Sequence, residues 1–225
     1  MTDTTAFRPR QYDLIVFDWD GTLFDSTTLI ARCIQAACID LGIAAPSDHD
    51  ASYVIGLGVK DALRHAAPSL PPERYRELGL RYGHHYFARQ HELALFPGMA
   101  ALLQGLKERN HLLAVATGKS RLGLNDSMTA VGLNGVFDAT RAADETASKP
   151  DPLMLRELMR ELGASADRTL MIGDTTHDLQ LAANAGCASV AVGFGAHDHQ
   201  EFAGFAPLHV AHSTGELASW LARHA

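Results

Sequence analysis

The chain has little with which to cross-link itself: three cysteines in 225 residues, Cys33, Cys38 and Cys187, and no CxxC pair. Three thiols cannot all pair within one chain, so no disulfide framework is expected and a reducing, cytoplasmic compartment is the simplest reading. Cys33 and Cys38 fall in a helical apolar pattern and read as small core residues. No apolar run approaches the roughly 20 residues of a membrane-spanning helix. Residues 1–10 are polar, with Arg8, Pro9 and Arg10; they lack the apolar stretch of a signal peptide and read as a loose arm. Positive charge is scarce, with 19 Lys and Arg against 26 Asp and Glu and a formal net charge of −7. That argues against a general nucleic-acid binder, which needs a basic face, and leaves room only for a local basic pocket. Zinc spacing is missing too. The twelve histidines are scattered, and neither His84-His85 nor His197/His199 has the separation of a helical zinc site.

What remains is a chain with 47% apolar and 20% charged residues, enough for one large domain or one domain carrying a smaller one. Short apolar runs read as strands at 13–17, 112–116, 169–172 and 188–192, with a weaker one at 208–211. They lack polar alternation, as strands covered on both faces do. Helical patterns lie between them at 99–109, 120–131, 152–162, 176–185 and 214–223. Alternation of this kind predicts an α/β fold, a Rossmann-like parallel sheet with right-handed crossovers. About 95 residues separate the first strand from Leu112, more than one crossover needs. Within that gap, 27–41 carries an apolar stripe through Leu29, Cys33, Ala37 and Leu41 and stops at Gly42, and further helices are predicted at about 58–67 and 72–91. The expected division is a core of 1–26 and 94–225 with a helical cap, 27–93, inserted after the first strand.

Each polar signature sits just after an apolar strand. Asp18 and Asp20 follow the first, Thr117-Gly118-Lys119 the second, and Gly173-Asp174-Thr175-Thr176-His177-Asp178 the run at 169–172. In an open parallel sheet the carboxyl ends of the strands face one crevice. Lys149, in Ser148-Lys149-Pro150, comes from a loop that can reach it. Four carboxylates, Asp18, Asp20, Asp174 and Asp178, then share a small space and cannot all stay ionised without a cation. All-oxygen ligands suit Mg²⁺. Thr117 and the Gly118 backbone, ahead of a helix starting near Ser120, make an anion site, with Lys149 as a point charge. The inventory describes phosphoryl transfer through an aspartyl phosphate.

These residues, in this order, resemble the haloacid dehalogenase superfamily: Asp18-Trp19-Asp20-Gly21-Thr22, Thr117-Gly118, Lys149-Pro150, and Gly173-Asp174 with Asp178. The likeness runs from about residue 12 to 223 and is nearest to the phosphatases with a helical cap, similar to phosphoglycolate phosphatases. It implies that Asp18 is the nucleophile and Asp20 the general acid and base. It implies that Asp18, the Asp20 carbonyl and Asp174 hold Mg²⁺, and that Thr117, Gly118 and Lys149 bind the phosphoryl group. Asp178 would orient Lys149 or a metal-bound water, and Gly21 would turn its N–H toward the phosphate. The acid at position 20 favours phosphoryl chemistry over dehalogenation.

The implied substrate is a small phosphate ester, with 2-phosphoglycolate foremost. Pyrophosphatase, nucleotide or sugar phosphatase and a β-phosphoglucomutase-like activity stay open, as does a non-enzymatic phospho-accepting or binding module. A monomer or homodimer is expected. Lys60, in Gly56-Leu57-Gly58-Val59-Lys60, either meets a second anionic group on the substrate or is solvated. Simpler readings cover other residues. Trp19 is packing, Asp25 caps and hinges the helix at 27–41, Ser120 caps its helix, and His177 is a solvated surface histidine. Lys119 is open between the site and solvent. Tyr82, His84, His85, Tyr86 and Arg89 form a polar and aromatic helix face.

Overall fold

The computed structural model describes residues 11–225; the arm expected at residues 1–10 lies outside the described residues. The described residues form a sheet of six parallel strands: β1 (Leu14–Phe17), β2 (Leu112–Thr117), β3 (Ala139–Ala142), β4 (Thr169–Gly173), β5 (Ala188–Val192) and β6 (Val210–Ala211), in the order β3-β2-β1-β4-β5-β6. Four of the expected strands hold to within a residue or two, and the weak one shrinks to two residues. Strand β3 was not predicted. Its sequence, Ala-Thr-Arg-Ala, has no apolar run, because it lies at the sheet edge with Thr140 and Arg141 only half-buried. Arg141 is held there by Glu157 and Glu161.

Both faces of the sheet are covered, as the unbroken apolar runs required. Alternate side chains split the core in two. Ile15, Phe17, Leu113, Val115, Leu170 and Ile172 face one layer of helices: α5 (Met99–Glu108), α6 (Arg121–Ala130) and α9 (Thr214–His224). Leu14, Val16, Ala114, Ala116 and Met171 face the other, α7 (Leu153–Leu162) and α8 (Thr176–Ala185).

Between β1 and α5 lie four α-helices, α1 (Thr27–Asp40), α2 (Asp48–Tyr53), α3 (Val59–Ala66) and α4 (Tyr75–Arg89). They enclose a hydrophobic cluster of their own, with Leu29, Ile30, Cys33, Ile34 and Cys38 of α1 packed against Leu63 of α3 and Leu78 and Tyr86 of α4. The stripe expected on 27–41 is therefore the buried face of α1. Helix α2 was not foreseen, since Asp-His-Asp-Ala-Ser-Tyr has one buried residue, Ala51; it is started by Ser47, whose hydroxyl accepts from the Asp50 N–H. The chain enters and leaves this segment side by side: the Asp25 N–H donates to the Ala94 carbonyl (2.9 Å) and the Phe96 N–H to that of Leu23 (3.0 Å). The Asp25 side chain is exposed and caps nothing; Ser26 occupies the cap position of α1. Among the described residues no helix is long and apolar enough to cross a membrane.

Candidate active site

The strand order reverses between β1 and β4: the chain adds β2 and β3 on one side of β1, then starts again on the other. The carboxyl ends of those two strands form the crevice where an open α/β sheet binds ligands. Parallel pairing of Phe17 with Ile172 and with Val115 sets the ends of β1, β4 and β2 level. Asp18, Asp174 and Thr117, far apart in sequence, emerge together, and all three are buried.

Lys149 sits at the centre. Its Nζ donates to Asp18 Oδ1 (2.7 Å) and to Asp178 Oδ1 (2.6 Å), with no exposure of any of the three side chains above 1%. Burial alone would lower the lysine's pKa, but the two carboxylates override it and hold the ammonium charged above its ordinary range. Asp178 is fixed a second way. It closes a capping box at the start of α8, accepting from the Thr175 N–H (3.1 Å) and Thr175 Oγ1 (2.7 Å).

Asp174 is held by Thr22, whose hydroxyl donates to Oδ1 (2.8 Å), and by the Ala196 N–H, which donates to Oδ2 (2.7 Å). Gly21 passes so close to this carboxylate that any side chain there would collide with it, and its φ of +84° belongs to glycine. The Gly21 N–H donates to the Phe24 carbonyl (2.8 Å). It therefore does not point into the crevice as the resemblance implied: the tight turn after β1 uses that donor internally.

One carboxylate oxygen from each of Asp18, Asp174 and Asp178 falls within a 4.8 Å group. Asp18 Oδ2 is buried without a hydrogen-bond partner. Burial first, then the neighbouring carboxylates, push Asp174 up to about 7 and Asp18 well above the usual carboxylate range, against the pull of Lys149. Three buried acids around a single lysine, one with an idle oxygen and all with hard oxygen donors, fit a small divalent cation.

Asp20 turns away from that group. Its Oδ1 accepts from Ser26 Oγ (2.6 Å) and from Lys119 Nζ (3.0 Å). Lys119 is not solvated: its side chain is 9% exposed, and its Nζ also donates to the Tyr86 hydroxyl (2.9 Å). Burial opposes its charge, but Asp20 and the two tyrosines Tyr86 and Tyr82 raise it above the ordinary lysine range. Thr117 Oγ1 accepts from the Lys119 N–H (3.2 Å), and Ser120 caps α6 through the Gly123 N–H (3.2 Å). Gly118 lies against the carbonyls of Gly56 and Leu57, too close for a side chain.

Above these residues the α1–α4 segment closes a cavity of about 50 Å³ open to the centres of water molecules, with Asp18, Asp20, Thr117, Gly118 and Lys119 on the sheet side. Three further contacts tether the segment. The Gly58 N–H donates to Ser148 Oγ (2.9 Å), and the Tyr53 carbonyl lies 2.8 Å from His177 Nε2 and 2.9 Å from His197 Nε2. A carbonyl only accepts, so both imidazoles carry a proton on Nε2. His177 is thus buried and bonded across the interface, contrary to the solvated reading, and burial lowers the pKa of both rings. Lys60 is exposed and lines a neighbouring groove with Arg64 rather than this cavity. Tyr82 lines the cavity and Tyr86 binds Lys119, while His85 and Arg89 pair with Asp40 and Glu92. The polar helix face expected for this stretch is two faces, one turned to the site. The sequence assigns no site role to Ser26, Thr22 or His197; the hydroxyls adjoin motif acids, but His197 carries no local signal.

The sequence profile of the family described as haloacid dehalogenase-like hydrolase matches residues 15–192, and the chain belongs to that family. A phosphoglycolate phosphatase of Aliivibrio fischeri is 32% identical over 197 residues, covering 84% of this chain and 86% of that protein. A probable phosphatase, IndB, of Dickeya dadantii is 35% identical, covering 82% of each. A hydrolase from Pseudomonas syringae of known structure superposes with a TM-score of 0.86 at 24% identity, over 94% of this chain and 98% of that one; this last likeness is one of fold. The named relatives put this chain among the phosphatases of the family.

Proposed function

We propose that the chain is a Mg²⁺-dependent phosphatase for a small phosphate monoester, working through an aspartyl phosphate on Asp18. The observation that carries the reading is the idle Asp18 Oδ2, buried in a residue that lines the cavity, while its twin oxygen is bound to Lys149. Asp18, Asp174 and the Asp20 carbonyl would hold the metal, which when bound neutralises charge on the transferring phosphoryl group. Lys149 keeps Asp18 oriented and offsets the same charge. Asp18 Oδ2 attacks phosphorus, and the ester P–O bond breaks. The departing oxygen takes a proton from Asp20, which later accepts one from the water that hydrolyses the acyl phosphate and frees Asp18. Thr117 and Gly118 bind the phosphoryl oxygens at the N-terminus of α6. Residues 27–93 act as a cap that excludes bulk water. 2-Phosphoglycolate, offered by a relative's name and by the motif resemblance, is the first ester to assay.

The test is turnover of a generic aryl phosphate with and without Mg²⁺. Wild type should turn over only with the metal, and Asp18→Asn should lose at least about 10³-fold in kcat, the scale of removing a covalent nucleophile. Turnover without metal, or an active Asp18→Asn, would remove the proposal.

A further inference from the structure

The sheet side of the cavity is polar, but the side that faces the rest of a bound ester is not. Ile30 and Ile34 of α1, Val54 and Ile55 after α2, Leu63 of α3 and the ring of Tyr82 line it. Among the described residues Lys119 is the one cation in the lining, and its Nζ is already shared between Asp20 and the Tyr86 hydroxyl. Lys149 is spent on Asp18 and Asp178. The cations Lys60 and Arg64 line a separate groove, divided from the cavity by Val59 and Gly118, which border both.

A phosphoryl group docked on Asp18 therefore sends its alcohol into an apolar wall. A leaving group bearing a second anion would be stripped of water there with no free cation to meet it, and a buried charge without a counter-charge is strongly disfavoured. We infer that this site selects phosphate monoesters of uncharged, apolar alcohols, the phenyl or short alkyl phosphate class, over esters whose leaving group carries a carboxylate. The inference rests on the phosphatase reading above and specifies its substrate class.

The experiment compares phenyl phosphate with 2-phosphoglycolate, by kcat/KM with Mg²⁺, and benzylphosphonate with phosphonoacetate, by calorimetric binding to the same Mg²⁺-loaded protein. Phenyl phosphate is expected to be preferred by about 100-fold, since a site discriminates strongly when the wrong ligand leaves a polar group unpaired, and the phosphonates should follow the same order. Val59→Lys, at an exposed position bordering the cavity, should narrow both ratios by about tenfold by supplying the missing cation. A preference for 2-phosphoglycolate or phosphonoacetate in wild type would overturn the inference and leave the phosphatase reading standing. Binding in the expected order with no turnover of either ester would do the reverse.

Discussion

Lys119 joins two parts of the molecule at one nitrogen. It neutralises Asp20 on the sheet side and holds the Tyr86 hydroxyl on α4, whose ring it also approaches to 4.8 Å. Lys119→Met keeps the length of the side chain and removes the charge, leaving buried Asp20 with Ser26 alone. Breaking a buried pair from one side costs about 3–5 kcal/mol, so the variant should unfold at a clearly lower denaturant concentration. It should also lose kcat more than KM, because Asp20 is the proposed proton carrier; unchanged kinetics would detach Lys119 from that acid. Trp19 shows the opposite economy of contacts. It is fully buried, with Phe24 and Phe137 centroids at 5.7 and 6.3 Å and its indole N–H unpartnered. It packs the turn that carries Asp18 and Asp20, as its sequence setting suggested.

At the scale of elements, the sheet keeps its register through contacts well away from the crevice. Asp138, just before β3, accepts from Lys107 at the end of α5 (2.8 and 2.9 Å) and from the Leu113 N–H of β2 (2.8 Å). Partial burial raises its pKa, but Lys107 and the Leu113 N–H outweigh it and hold the carboxyl below its usual value. A depressed carboxylate contributes stability above its unfolded pKa, near 4, and loses it as pH falls through the folded value. Asp138→Asn should therefore cost about 1 kcal/mol at pH 7, from the lost ion pair, and much less at pH 2.5. Paired denaturation curves at the two pH values check this; an equal cost at both would show the loss is steric.

The whole molecule depends on two hydrophobic bodies meeting over a charged crevice. The sheet core and the α1–α4 segment each have an apolar cluster of their own, with Leu93 packed against both, and several contacts across the crevice are polar: Tyr86 to Lys119, Gly58 to Ser148, and the Tyr53 carbonyl to two imidazoles. Such contacts can be exchanged for water, which suits the cap role proposed for residues 27–93. With Mg²⁺ held by the crowded acids as proposed, the fold would respond to the cation. Mg²⁺ at about 100 times its Kd should add about 2.7 kcal/mol, a rise in Tm of roughly 5–10 °C for a chain of this size. Asp174→Asn should remove most of that rise, and an unchanged response in the variant would place the metal elsewhere.

The strands, most helices and the order of the chemical motifs were legible in the sequence because each is a local matter. A buried parallel strand announces itself by an unbroken apolar run, and a carboxylate after such a run has one end of the sheet to go to. Leu14 to Phe17 followed by Asp18 is enough to see this. Edge strand β3 was hidden because half of its side chains stay wet, and α2 because a polar capped helix has no stripe. The partners of the site were hidden for a different reason. Whether Lys119 faces solvent or Asp20, whether His177 is exposed or bonded to Tyr53, and whether Lys60 looks into the cavity depend on how the α1–α4 segment lies over the sheet. That placement sums many weak contacts between residues distant in sequence, so only the tertiary structure decided it.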